Sequence, residues 1–145
     1  MPITYEVLGG GHFIHAIVES PLTPQEFVDY EVAHAIDARI KTPVSELLEI
    51  SGKVLQDITM DDMKEVIRRR GELKRLPTPH RCAMVLGSLD DHSWDLAKFY
   101  EGMSMLHSPE SVIVFANPDT AKRWIGFENI RPNKLAAGTA DKPLS

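Results

Sequence analysis

Apolar positions recur along this chain with two periods, and the switches between them mark its elements. Ile3, Val7 and Leu8 give a first run of β character, which Gly9-Gly10-Gly11 interrupts and residues 12–19 resume. Two short β-runs around three glycines predict a hairpin; a phosphate cradle would need a helix after the glycines, not a strand. Thr23-Pro24-Gln25-Glu26 is a helix start, with Thr23 as N-cap, Pro24 at the first helical position and Glu26 completing a capping box. Val28, Val32, Ala35 and Ile36 follow at helical spacing, so the helix is expected to bury that face and to run to about Lys41, before Pro43. Val44, Leu47, Leu48 and Ile50 then predict a strand.

After a loop at 51–59, Met63, Val66 and Ile67 predict a second helix ending near Leu76, closed by Pro77 and Pro79. Residues 81–87 are short, nearly all apolar and ended by glycine, the pattern of a central parallel strand buried on both faces. Leu96, Phe99, Tyr100 and Met103 place a third helix from about Ser93. Ser111-Val112-Ile113-Val114-Phe115 is the last strand, and Asn117-Pro118 open a final helix carrying Ala121, Trp124 and Ile125. Beyond Glu128 the periodicity stops.

The order is β-β-α-β-α-β-α-β-α. It predicts an α/β fold with one central mixed, mostly parallel sheet of about five strands and about four helices. One domain is expected over 1–127, followed by an extended or disordered tail over 128–145. At 145 residues, 43% hydrophobic and 26% charged, the chain is ordinary for a globular domain. Its formal net charge of −5 argues against nucleic acid as the main partner. No apolar run approaches a membrane span, and the first residues lack the basic and apolar regions of a signal peptide. With Cys82 the single cysteine, no internal disulfide or cysteine-built metal site is expected, and the default is a cytoplasmic protein.

Three stretches carry a family likeness. Leu22-Thr23-Pro24-Gln25-Glu26-Phe27 follows the hairpin, the apolar strand at 81–87 precedes Trp94, and the last strand reaches Phe115 before Ala121-Lys122-Arg123-Trp124-Ile125. Residues 3 to about 127 thereby resemble the STAS-type fold of anti-sigma-factor antagonists, and more closely the SpoIIAA-like group of small stand-alone bacterial proteins, related to lipid-binding CRAL-TRIO domains. The antagonists carry a phosphorylatable serine in a segment similar to Leu-Ser-Gly-Val-x-x-x-Asp-Ser-Ser-Gly-Leu. Here Ile50-Ser51-Gly52 and Asp57 match it, but Ile58 stands where the regulatory serine would be. The resemblance therefore implies an interaction module without the phosphoserine switch.

Thr59 is expected to cap the second helix, with Asp61 and Asp62 in its first turn, where they would also repel a phosphate. Asp90 and Asp91 read as caps of the third helix in the same way. None of the six histidines shows ligand spacing, so His12, His15, His34, His80, His92 and His107 are read as surface or structural residues, with no metal and no cofactor. Arg68-Arg69-Arg70 reads as a solvated helix face, or as a surface for an acidic partner. Cys82 reads as a small buried hydrophobe.

The first functional expectation is a non-enzymatic regulatory module binding a protein, or a second copy of itself, through Ser51, Gly52, Lys53, Asp57, Thr59, Lys64 and Arg68. The alternative is a small-molecule or lipid-binding domain of CRAL-TRIO type, with an apolar pocket involving Phe27, Trp94 and Phe99. A hydrolase-like enzyme using Ser51, Asp57 and a histidine ranks last, since no nucleophile elbow is present.

Overall fold

The computed structural model describes residues 3–73, 79–108 and 110–127. Strands β1 (Ile3–Leu8) and β2 (Phe13–Val18) form the expected antiparallel hairpin. Gly9, Gly10 and Gly11 turn it with φ of 57°, 68° and 100°. A Cβ on Gly11 would lie 2.3 Å from the Arg39 carbonyl oxygen, so the hairpin can approach that turn only through glycine. Helix α1 (Pro24–Ala35), β3 (Val44–Ile50), α2 (Met60–Arg70), β4 (His80–Leu86), α3 (Asp91–His107), β5 (Ser111–Phe115) and α4 (Pro118–Ile125) follow.

The five strands lie in sequence order, β1-β2-β3-β4-β5, with β2 to β5 parallel. A sequential parallel order with right-handed crossovers sends every crossover helix to the same face. Accordingly Phe27 and Tyr30 of α1, Met63 and Val66 of α2, and Leu96 and Tyr100 of α3 share one core with Ala16, Leu48, Met84 and Val112. The other face is smaller: Ala121 and Ile125 of α4 cover Phe13, Leu47, Ala83 and Val85. β4 is thus buried on both faces, as its composition requires. No helix of the described residues is long and apolar enough to cross a membrane.

Two expectations about helices need correction. α1 ends at Ala35, six residues before Lys41, because Asp37 accepts hydrogen bonds from the Arg39 backbone and guanidinium and from Tyr5 Oη on β1. Of the expected stripe Val28 is buried, but its later positions are not. Val32 is 37% exposed and Ile36 70%, whereas His34 is 2% exposed alongside Phe27, Val28 and Tyr30. The described part of α2 ends at Arg70, ahead of the expected Leu76, which lies outside the described residues, as does the expected tail at 128–145.

Candidate functional site

Loop 51–59 leaves the C-terminal end of β3 and is held from beneath. Val54, Leu55 and Ile58 are buried in the main core, and the Ile58 carbonyl accepts from His92 Nε2 at 2.6 Å. Gly87 N donates to Ile50 O at 2.7 Å, close enough that a Cβ on Gly87 would meet Gly52 N at 2.8 Å. The loop ends in a capping box: Asp62 N donates to Thr59 Oγ1, and Thr59 N to Asp62 Oδ2, each at 3.0 Å. Ser51, Gly52, Lys53, Asp57, Thr59, Lys64 and Arg68 are all exposed along this loop and α2, whose outer side Arg68 braces with Glu65 and Glu72.

A second assembly lies at the opposite, N-terminal end of the strands, beneath the helix face. Glu46 of β3 points inward in phase with Leu48 and Ile50, and is 3% exposed. It accepts from Tyr30 Oη and pairs with His80 Nε2 at 2.9 Å. His34 Nε2 meets Glu31 Oε2 at 3.1 Å, and its other ring nitrogen lies 2.8 Å from the Tyr30 carbonyl. Arg70, the last residue of α2, pairs with Glu31 at 2.8 Å and with Glu110, and lies over the Tyr100 ring at 5.3 Å. Cations at the C-terminal ends of α1 and α2 also answer the helix dipoles there.

Burial would lower the His34 pKa, but the Glu31 carboxylate and then Glu46 outweigh it and raise the imidazole to about 9. His80 is raised in the same way, by Glu46 and Glu110 against burial. Burial would raise Glu31, yet Arg70 and His34 pull it well below the ordinary carboxylate range. Glu110 goes up, because burial prevails over His80 and Arg70. Two carboxylates, Glu31 and Glu110, face the guanidinium while Glu46 faces His80, and the charges of the cluster match when both imidazoles carry a proton.

Glu46, Cys82 and Glu110 also place donor atoms within 4.8 Å of one another, a spacing that could hold a metal ion. The donor set does not fit one. Glu46 already accepts from Tyr30 and His80, Glu110 already holds Arg70, and burial drives the Cys82 thiol far from its thiolate. A cation would have to displace a guanidinium. The cluster does structural work, joining α1, β3, α2, β4 and the start of β5.

Of the sequence candidates for a pocket, Phe27 is buried against Tyr100, with ring centroids 5.6 Å apart. Trp94 carries Lys98 Nζ over its ring at 5.8 Å. Phe99 lines a cleft of about 570 Å³ between α2 and α3 that Lys64 and Arg68 border, and neither Phe27 nor Trp94 is among the residues lining it. Arg70, read from sequence as part of a solvated helix face, and His34 and His80, read as surface or structural residues, are buried.

The network was detectable in principle. Glu31 and His34 stand at i+4 and i+7 from Phe27, and Glu46 shares the two-residue phase of Leu48 and Ile50. No family model, no curated protein and no solved structure matches the chain.

Proposed function

We propose that this chain is a non-enzymatic interaction module of the SpoIIAA-like, STAS-type group, acting without a phosphoserine switch, in a cytoplasmic setting. It engages a protein partner, or a second copy of itself, through loop 51–59 and the exposed side of α2. The observation that carries the reading is the pinning of that loop by Val54, Leu55 and Ile58 under an exposed polar rim. A loop already fixed in its binding shape loses little conformational entropy on association. Thr59 supports the absence of a switch, since its hydroxyl is committed to the helix cap. The sequence likeness supports the group. The net charge of −5 disfavours nucleic acid.

The test is capture of a partner on immobilised full-length chain, with Lys53→Glu/Lys64→Glu/Arg68→Glu on one arm and Lys122→Glu of α4 on the other. The reading expects one stoichiometric protein, reproduced as a purified complex, that the triple variant loses and Lys122→Glu keeps. Equal capture by both variants overturns it. The cleft between α2 and α3 favours a second reading, the binding of a small molecule.

A further inference from the structure

We infer that the α2–α3 cleft is a binding site for a small amphipathic acid, with an apolar body along Ile67, Phe99 and Met103 and its anionic head on Lys64. The inference does not rest on the partner reading above. At about 570 Å³ the cleft lies within the range that receives one drug-sized molecule.

Two features set the class of ligand. The walls come from the inner edges of two helices, and Ile67, Phe99 and Met103 are half-buried side chains held with apolar surface turned to the cleft. Ser104 also lines the cleft, but its Oγ, without a hydrogen-bond partner among the described residues, is itself closed off from it.

The charge at the mouth is the second feature. Arg68 is braced by Glu65 and Glu72, and Arg70 is held by Glu31 and Glu110, so both guanidiniums already have carboxylate partners. Lys64 lies on the same rim, and no carboxylate among the described residues pairs with it within salt-bridge distance. An unneutralised ammonium at the mouth of an apolar cleft selects an anionic head.

The full-length chain, labelled at its methionine methyls, tests this by NMR against sodium decanoate, decyltrimethylammonium and butyrate, all below micelle formation. Met103 lines the cleft and Met84 lies in the core, so the two methyls separate binding at the site from a general effect. The expected result is saturable movement of Met103 by decanoate at sub-millimolar concentration, with Met84 still. The cationic and the short-chain probes are expected to bind at least about tenfold more weakly.

Met103→Trp, which fills the cleft, should abolish decanoate binding. Lys64→Glu, on the exposed rim, should weaken it by about tenfold or more, and carries the test if the first variant fails to fold. An unmoved Met103, equal binding of the two head groups, or undiminished binding in Lys64→Glu overturns the proposal. Lys64 also borders the face proposed for a protein partner, so capture by loop 51–59 is read separately with Lys53→Glu, which lies outside the cleft.

Discussion

Glu46 and His80 form a buried ion pair across two neighbouring parallel strands, 2.9 Å apart, with side chains only 4% and 5% exposed. In the β3–β4 register His80 lies opposite Val44 and Glu46 opposite Cys82, so the pair is diagonal and both side chains turn to the helix face. Removing one member leaves an uncompensated charge out of water. Glu46→Leu should therefore cost about 3–5 kcal/mol in urea unfolding, although leucine suits a strand interior. Glu46→Gln, which keeps an acceptor for Tyr30, should cost less. A Glu46→Leu/His80→Leu double variant should recover part of the loss, because it removes both charges together.

His34 makes stability depend on pH in the alkaline direction. Its pKa rises from 6.5 to about 9 on folding, so its contribution is fully present below 6.5 and is lost as pH rises through about 9. His80 shifts the same way and adds to the trend. The groups facing His34 are Glu31 and the Tyr30 carbonyl on its own helix, Glu46 on β3 and His80 on β4. The unfolding free energy in urea should fall between pH 6.5 and 9, by about 3 kcal/mol at most for His34 alone, and the midpoint with it. His34→Gln should be less stable at neutral pH and show a flatter profile over that interval. A wild-type midpoint constant over this range would mean that the imidazole is neutral when buried.

The fold was legible because its signals are local. Thr23, Thr59, Asp90 and Asn117 cap the four helices in the structure, and each cap is a relation among residues two or three apart. Strand limits followed from short apolar runs bounded by glycine or proline, and β5 fits its run end to end. What escaped is long-range. Tyr5 reaches Asp37 across 32 residues to help stop α1, and Arg70 is buried because Glu31 and Glu110 wait for it 39 and 40 positions away. A rule that puts charges outside cannot see a network whose members neutralise one another. The cleft was half legible: Phe99 was singled out, but Ser104 carries no signal until its helix is packed.

Gly87 and Gly52 separate what the candidate loop tolerates from what it does not. A methyl group on Gly87 would meet Gly52 N at 2.8 Å and Ile50 O at 3.0 Å, both backbone atoms that cannot swing aside. Gly87→Ala should therefore destabilise by about 1–3 kcal/mol and shift the amide resonances of residues 51–54. A Cβ on Gly52 meets nothing within 4 Å, so Gly52→Ala should leave the unfolding midpoint unchanged or slightly raised. Indistinguishable behaviour of the two variants would show that the loop is not held against β4.

Glu101 guards the open edge of the sheet. β5 is the last strand, with Ile113 38% exposed, and an edge strand offers unpaired backbone groups to any second chain. Here the Val114 N–H donates to Glu101 Oε2 at 2.7 Å, and Lys98 Nζ holds the other carboxylate oxygen at 2.5 Å. The side chain of α3 thus occupies an outward-facing donor of β5 and sets a charge beside it. Glu101→Ala frees the donor and removes the charge, at about 1 kcal/mol of lost hydrogen bonding, without touching the core. Sedimentation velocity over a concentration series should show the variant self-associating more readily than the wild-type chain. Glu101→Gln, which keeps an acceptor for Val114, should remain closer to wild type. Superimposable profiles for wild type and Glu101→Ala would mean that this carboxylate is not what controls pairing at β5.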